Sequence, residues 1–455
     1  MALSLRLTAL VFPAVLVLAC SPGQDGDDGG RALSAGAGSD AMGTGVEELT
    51  AADVERGRHD PAWRAFAERD RAERTAARTG GTAAGASGAP GGGERAESGT
   101  GGTAGDPASG EAEGRDGSAR SPADTATGES WDDIGAGSLD VDPAALPLEG
   151  EAEGPSVLAV QVLLDRARFS PGVADGYWGK NTEKAVYWLQ SERGMEATGV
   201  VDRATLDMLR GEAGSDGELT TRIRLTDALV SGPFVSIPEG IYERAEMECL
   251  CYESLGEKLA ERFHTTREVL SALNPGLELD ALSAGEELVV PDHGAPADSL
   301  TARDAGRDGT PVARIVVSDG GHYLHALAAD GSILYHFPST LGSDYAPSPT
   351  GDYAVNSIAR DPTWHYQPEL LTGEDPSRDD AIIPPGPNNP VGVVWIDLTK
   401  PHYGIHGTAA PSTIGYATSH GCVRLTNWDA AFLADRPGVE SGTPVQFRDG
   451  SGREG

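Results

Sequence analysis

The residues best suited to chemistry lie near the C-terminus of this 455-residue chain: Tyr403-Gly404-Ile405-His406-Gly407-Thr408, then Ser419-His420-Gly421-Cys422-Val423-Arg424-Leu425. A cysteine is a strong nucleophile only as its thiolate, which needs an imidazole to take the proton and donors to steady the oxyanion formed on attack. Cys422 supplies the sulfur. His406, sixteen residues earlier, lies beside it if the ends of the intervening loop sit on adjacent strands, and is then the general base. Gly421 carries no side chain, so a substrate carbonyl can approach the backbone closely. The N–H groups around Gly421 and Cys422 can then form an oxyanion hole. Two other readings fit the same spacing: a small buried apolar cysteine, or a zinc site built from His402, His406, His420 and Cys422. Spacing alone does not choose among the three.

The elements that must position these residues read as β-strands. Residues 313–317 and 323–327 flank Ser318-Asp319-Gly320-Gly321, a hairpin signal, and 332–337 and 353–358 continue the pattern. Apolar alternation broken by Gly and Pro predicts a mainly-β domain. The stretch 359–386, with Trp364-His365-Tyr366, is too irregular for the sheet. His322, His325, His336 and His365 have no matching partner motif and are read as surface or structural histidines.

The C-terminal motif resembles the signature of the L,D-transpeptidase (YkuD-like) catalytic domain, in which a His-Gly pair precedes a Ser-His-Gly-Cys-x-Arg run. The resemblance extends to Ser348-Pro349-Thr350-Gly351-Asp352-Tyr353, Pro387-Asn388-Asn389-Pro390, Trp395-Ile396, Ile414-Gly415 and Gly442-Thr443-Pro444-Val445, and covers 311–448. It implies a β-sandwich with Cys422 as nucleophile and His406 as acid/base. Gly407, Ser419, His420 and Gly421 would support the oxyanion environment, and the motif arginine Arg424 would contact substrate or brace the site. The insertion 359–386 would lie over the site as a lid or subsite wall. The implied reaction joins peptidoglycan stem peptides 3→3 through a cysteinyl thioester, without cofactor or metal. The same dyad could instead serve an L,D-carboxypeptidase, an endopeptidase or an enzyme attaching or detaching a lipoprotein. A rival of another class is a non-catalytic wall-anchoring lipoprotein.

Upstream, the chain changes character. Bulky apolar residues are too sparse over 21–150 to offset the entropy of ordering it, so the segment is read as a disordered acidic tether. The net charge of −35 leaves no basic excess to displace counterions from phosphates, which argues against nucleic acid. Within the tether, 61–78 is a candidate helix that Asp60 can cap, read as solvated rather than docked. At the N-terminus, an apolar run from Leu7 to Ala19 suits a secretory signal, 1–20, and is too short to span a bilayer. It ends in Val17-Leu18-Ala19-Cys20, which resembles a lipoprotein lipobox and implies lipidation of Cys20. That resemblance places the mature protein at the cell envelope, facing the wall. With Cys20 and Cys422 so assigned, Cys249 and Cys251 remain. One intervening residue is a strained separation for a disulfide, and they are read as a structural pair.

Two small modules complete the organisation. Over 155–211 three short helical patterns surround Asp175-Gly176-Tyr177-Trp178-Gly179 and Thr198-Gly199-Val200-Val201-Asp202. This resembles the peptidoglycan-binding type 1 domain, which makes Tyr177 and Trp178 candidate glycan contacts, while Trp188 at helical spacing reads as core. Residues 211–241 read as a connector with a strand near 234–237. Over 242–292 a β-prone run reaching Tyr252, two short helices stopped by Asn274-Pro275-Gly276, and Glu287-Leu288-Val289-Val290-Pro291 give a βααβ order that resembles a LysM module. The usual Gly-Asp-Thr opening is replaced by Tyr252-Glu253-Ser254. A linker, 293–310, leads to the catalytic domain.

Overall fold

The computed structural model of the chain describes residues 16–18, 60–78, 131, 139–212, 218–294, 309–343, 346–371 and 375–448. Cys20, most of the apolar N-terminal run, most of the tether and 295–308 of the linker fall outside these residues. Among the described residues no helix is long and apolar enough to cross a membrane. Leu16–Leu18 (β1) forms a strand.

The tether contains more order than its composition suggests. Trp63–Arg78 is a helix, α1, opened by Asp60, whose Oδ1 accepts the Ala62 N–H at 3.0 Å. It is docked rather than solvated: Trp63, Ala67 and Asp70 are buried on one face, the i, i+4, i+7 spacing that aligns residues along a helix. Trp63 meets Tyr187 edge-on, with centroids 5.5 Å apart. Asp70 accepts from Tyr323, and Arg74 pairs with Glu192 at 3.0 Å. The docked face was missed because it mixes one indole, one methyl and two charges, and so does not read as an apolar stripe. Trp63→Ala is expected to cost about 3 kcal/mol of stability by cavity formation, measured by urea titration. Order also resumes earlier than 155, for Leu139, Val141 and Leu148 are buried in the same core.

Three helices follow: α2 (Pro155–Arg166), α3 (Lys180–Glu192) and α4 (Arg203–Glu212). Two glutamines fasten the loops between them. Gln161 accepts from the Gly176 N–H at 2.8 Å and donates to the Tyr177 carbonyl at 3.1 Å. Gln190 accepts from the Thr198 and Gly199 N–H groups, each at 2.9 Å.

The second module opens with Thr220–Arg224 (β2), which pairs antiparallel with Glu287–Pro291 (β3). Asp227–Val230 (α5), Ile241–Ala245 (α6), Leu255–Arg262 (α7) and Arg267–Leu273 (α8) lie between. The expected βααβ order over 242–292 is not what forms: β2 and β3 enclose four α-helices, of which α7 and α8 are the two expected. The strand that pairs with β3 lies at 220–224, neither near 234–237 nor within 242–252, where α6 stands instead. Ser254 and Thr266 cap α7 and α8 through the N–H groups of Glu257 and Val269. Cys249 and Cys251 are disulfide-bonded, their Cα atoms 5.2 Å apart, contrary to the expectation from their spacing. Turning the chain between them brings the two thiols together.

The C-terminal domain is mainly β. Its strands are Arg314–Ser318 (β4), Tyr323–Leu327 (β5), Ile333–Pro338 (β6), Leu341–Gly342 (β7), Gly351–Arg360 (β8), Thr363–Tyr366 (β9), Ala381–Ile383 (β10), Val394–Leu398 (β11), Gly404–His406 (β12), Thr418–Ser419 (β13), Val423–Arg424 (β14) and Pro444–Arg448 (β15). Eight form one mixed sheet in the order β14-β12-β11-β8-β15-β4-β5-β6. Asn427–Ala434 (α9) sits against it. Phe432 of α9 meets Tyr335 and Phe337 of β6 at 5.2 and 6.2 Å, and residues from both arms of the sheet join the same core. A single sheet bent around one helix thus makes the sandwich. The outer face of β5 and β6 is covered by the helical module: Trp188 packs on His325 at 4.7 Å, and His336 exchanges backbone bonds with Arg168 and Ser170. His325 and His336 are consequently core residues.

The insertion 359–386 becomes a hairpin of β9 and β10, with β1 parallel to β9 on its other edge. The second module grips it. Leu250 and Ile241 pack with Tyr366 and Ile383, Leu250 N–H donates to the Pro385 carbonyl at 2.9 Å, and the Tyr242 hydroxyl to that of Asp379 at 2.7 Å.

Candidate active site

The two arms of the motif arrive on neighbouring strands. β12 runs parallel to β14 with Ile405 opposite Val423 and His406 opposite Arg424, and the Leu425 N–H donates to the His406 carbonyl at 2.8 Å. Cys422 immediately precedes β14. Trp395, opposite His406 on β11, is the wall common to both groups: its ring stacks on the imidazole at 5.3 Å and 21°, and it packs in one cluster with Cys422, Ala359 and Val391. Trp364 of the hairpin closes over that cluster. Cys422 and His406 are both buried, and Cys422 is in disulfide form. The chemistry outlined above needs it reduced.

His406 is held as a neutral base. Its Nδ1 lies 2.7 Å from the Gly407 carbonyl oxygen, so Nδ1–H donates there and Nε2 keeps its lone pair. Burial, followed by the positive Arg424 nearby, pushes its pKa down to about 3. A buried imidazolium beside a guanidinium is disfavoured twice over. Arg424 has a buried Nε with no hydrogen-bond partner, and burial lowers its pKa to about 10. Its backbone exchanges bonds with Thr340, at 2.9 and 3.0 Å.

Ser419 ties the nucleophile turn. Its hydroxyl donates to the Cys422 carbonyl at 2.6 Å and accepts the Gly421 N–H at 3.1 Å. Gly421 has φ +108°, and a Cβ there would stand 2.8 Å from Tyr403 Cε1, so only glycine fits both the backbone and the space. The Gly407 N–H is taken up by the Val394 carbonyl at 3.2 Å. The N–H groups of Gly407 and Gly421 are therefore engaged in holding the turn. His420 is half-exposed beside them.

Asn427, the first residue of α9 after its cap Thr426, carries no motif in the sequence that singles it out. It is buried, and its Oδ1 accepts from the Val393 and Thr408 N–H groups at 3.2 and 3.1 Å. Its Nδ2 donates to the Pro387 carbonyl at 3.1 Å and to Glu261 Oε2 at 2.9 Å. Gly407 lies against it, for a Cβ there would meet Asn427 Oδ1 at 2.1 Å. Glu261 belongs to α7, so the second module is wired to the loop that carries His406. Burial raises the Glu261 carboxyl to about 7, against the pull of its bonds from Asn427 and Tyr252.

The alternatives fare differently. Among the described residues one group of three or more side chains has its ligand atoms close enough to hold a metal ion, Asp165, His264 and His293. None of His402, His406, His420 and Cys422 belongs to it. In the helical module Tyr177 is exposed, whereas Trp178 is 3% exposed and part of the core, which removes it as a glycan contact. The Trp178 backbone N–H donates to the Ala152 carbonyl at 2.9 Å, and its indole belongs to the same buried cluster as Leu158 and Trp188.

The profile of the L,D-transpeptidase catalytic domain matches residues 312–447, and that described as "Putative peptidoglycan binding domain" matches 153–209. The chain is 32% identical over 191 residues to the Bacillus licheniformis protein named "Putative L,D-transpeptidase YkuD", covering 42% of this chain and 92% of that one. It is 30% identical over 187 residues to the Bacillus subtilis protein of the same name, covering 41% and 89%. A match of 32% over 182 residues to "Probable L,D-transpeptidase ErfK/SrfK" of Escherichia coli covers 39% of this chain and 53% of that protein. His406 on β12 with Cys422 at the head of the neighbouring β14, the catalytic-domain match over 312–447 and identity across nearly the whole of two relatives lead to one conclusion: the chain belongs to the L,D-transpeptidase family.

Proposed function

We propose that this protein joins peptidoglycan stem peptides 3→3 through a thioester on Cys422. The observation that supports it most is the single Trp395 ring in contact with both His406 and Cys422, which fits a base and a nucleophile sharing one water-poor wall. His406 Nε2 takes the thiol proton, and the sulfur attacks the carbonyl carbon of the third residue of a donor stem. The tetrahedral oxyanion is received by donors of the turn that carries Cys422. Collapse breaks the peptide bond, His406 returns its proton to the departing D-alanine amine, and the acyl group remains on sulfur. The side-chain amine of a second stem then attacks the thioester. His406 takes a proton from that amine and returns it to the sulfur as it leaves, regenerating the thiol. Arg424 is close enough to His406 to keep it neutral between these steps.

Intact-protein mass spectrometry of the reduced full chain after a carbapenem tests the nucleophile: one adduct is expected on Cys422 and none in Cys422→Ala. Muropeptide analysis tests the acceptor. Cross-linked dimers support the proposal, and tripeptides alone would mean that water resolves the thioester.

The surrounding architecture fits delivery to a wall. Lipidation at Cys20 would tether the enzyme to a membrane at the cell envelope, and the helical and LysM-like modules would hold glycan, raising the local concentration of stems. Tyr177, the exposed aromatic of the helical module, is the residue through which that module would stack on sugar. Tyr177→Ala is expected to weaken binding to purified sacculi severalfold while leaving the melting temperature unchanged. Pelleting assays beside a thermal melt measure both.

A further inference from the structure

A second cluster of reactive side chains lies away from Cys422, where the three bodies meet. Asp165 ends α2 of the helical module, His264 follows α7 of the second module, and His293 follows β3 of the same module. All three are buried, at 1%, 3% and 3% exposure. His264 Nδ1 stands 2.8 Å and His293 Nδ1 2.7 Å from the same carboxylate oxygen, Asp165 Oδ2. The catalytic domain supplies the lid of this chamber: the Trp428 ring stacks on His264 at 4.9 Å and 7° and meets His293 edge-on at 6.0 Å. His264 adopts φ +48° to present its ring, a conformation that costs a non-glycine residue and is held by its surroundings.

We propose that Asp165, His264 and His293 form a structural zinc site that clamps the helical module to the second module. The donor set favours it, for two neutral imidazole nitrogens and one carboxylate oxygen are ligands that zinc accepts. Position favours it as well, because the ligands come from two different modules and no step of the proposed reaction uses them. The three ligand atoms lie within 4.8 Å of one another. Tetrahedral ligands at zinc bond lengths sit roughly 3.3 Å apart, so the side chains need open by only about half an ångström to admit the ion. A dication would compensate the buried carboxylate without the cost of burying an imidazolium. Each imidazole coordinates through Nδ1 in its neutral form, its proton then residing on Nε2.

The test uses the full chain, untagged and carrying Cys422→Ser so that the active-site thiol contributes no ligand. After dialysis against metal-free buffer, one equivalent of zinc chloride is expected to bind with micromolar or tighter affinity by calorimetry and to remain bound in elemental analysis. It should raise the melting temperature by about 5 °C at a hundredfold excess over Kd. His264→Gln and Asp165→Asn should each weaken binding at least tenfold, with circular dichroism checking that both fold. Because either variant can fail for structural reasons, X-ray absorption at the zinc edge of the unsubstituted cluster provides the second reading, expected to show two imidazoles and one carboxylate. Absence of stoichiometric zinc overturns the proposal and leaves the cluster as a hydrogen-bonded clasp. Zinc bound equally by His264→Gln overturns it too, as does an absorption spectrum without two imidazoles.

Discussion

Cys422→Ala, assayed in reductant on the full chain, is expected to lower cross-link formation by at least about a thousandfold while the protein stays folded. The sulfur is the proposed acyl carrier, so its loss would remove the proposed intermediate rather than slow one step. His406→Gln should fall almost as far, and the double variant should be hardly worse than Cys422→Ala, because the two act as a unit. A Cys422→Ala protein that still made dimers at more than a few per cent of the normal rate would refute the proposed chemistry. Additive losses in the double variant would remove His406 from the proton path.

The second large effect is on stability in acid. Burial depresses four histidines: His406 and His322 to about 3, and His325 and His336 well below their ordinary value. The unfolded chain protonates these rings below about pH 6.5, whereas the folded one keeps His406 and His322 neutral nearly to pH 3 and holds the pKa values of His325 and His336 well below their ordinary value. Between those limits the unfolded state holds more protons, so their contribution is complete above pH 6.5 and is lost as the pH falls toward 3. His406 alone accounts for up to about 5 kcal/mol across that window. Glu261 acts in the opposite sense. Its raised pKa of about 7 contributes stability that is complete below about pH 4.5 and lost as the pH rises through 7. Several histidines outweigh one carboxyl, so urea unfolding at pH 4.5 should show a stability at least about 4 kcal/mol below that at pH 7.5. Equal stability at the two values would mean that these rings are more solvated than the sheet and α3 allow.

The motif and the strands around it were legible because local pattern governs them. His406 and Cys422 were singled out by the resemblance their motif carries, since spacing alone left three readings open, and β4, β5 and β6 match the apolar runs within a residue or two. Failures came where a partner distant in sequence decides the outcome. Nothing near Trp63 announces Tyr187, and Asp70 reads as a surface charge until Tyr323 and Arg448 are seen beside it. The run 242–252 is β-prone by composition, yet Ile241–Ala245 is helical because Ile241 packs onto the hairpin and the pairing edge of β3 is already taken by β2. Trp178 follows an exposed tyrosine, and only the closed loop shows which of the two faces inward. Asn427 carries four hydrogen bonds to backbone and carboxylate groups from three segments, a role that no local spacing encodes.

The grip of 241–252 on the β9–β10 hairpin, together with the cover that α3 gives β5, bears on how this protein can be taken apart. Excising the C-terminal third would strip one flank of the sheet bare and free the flap beside the thiol, so measurements on such a piece would describe a different molecule. A backbone nick between 294 and 309, by contrast, severs only one strand of attachment, and the two halves would stay mated and at work.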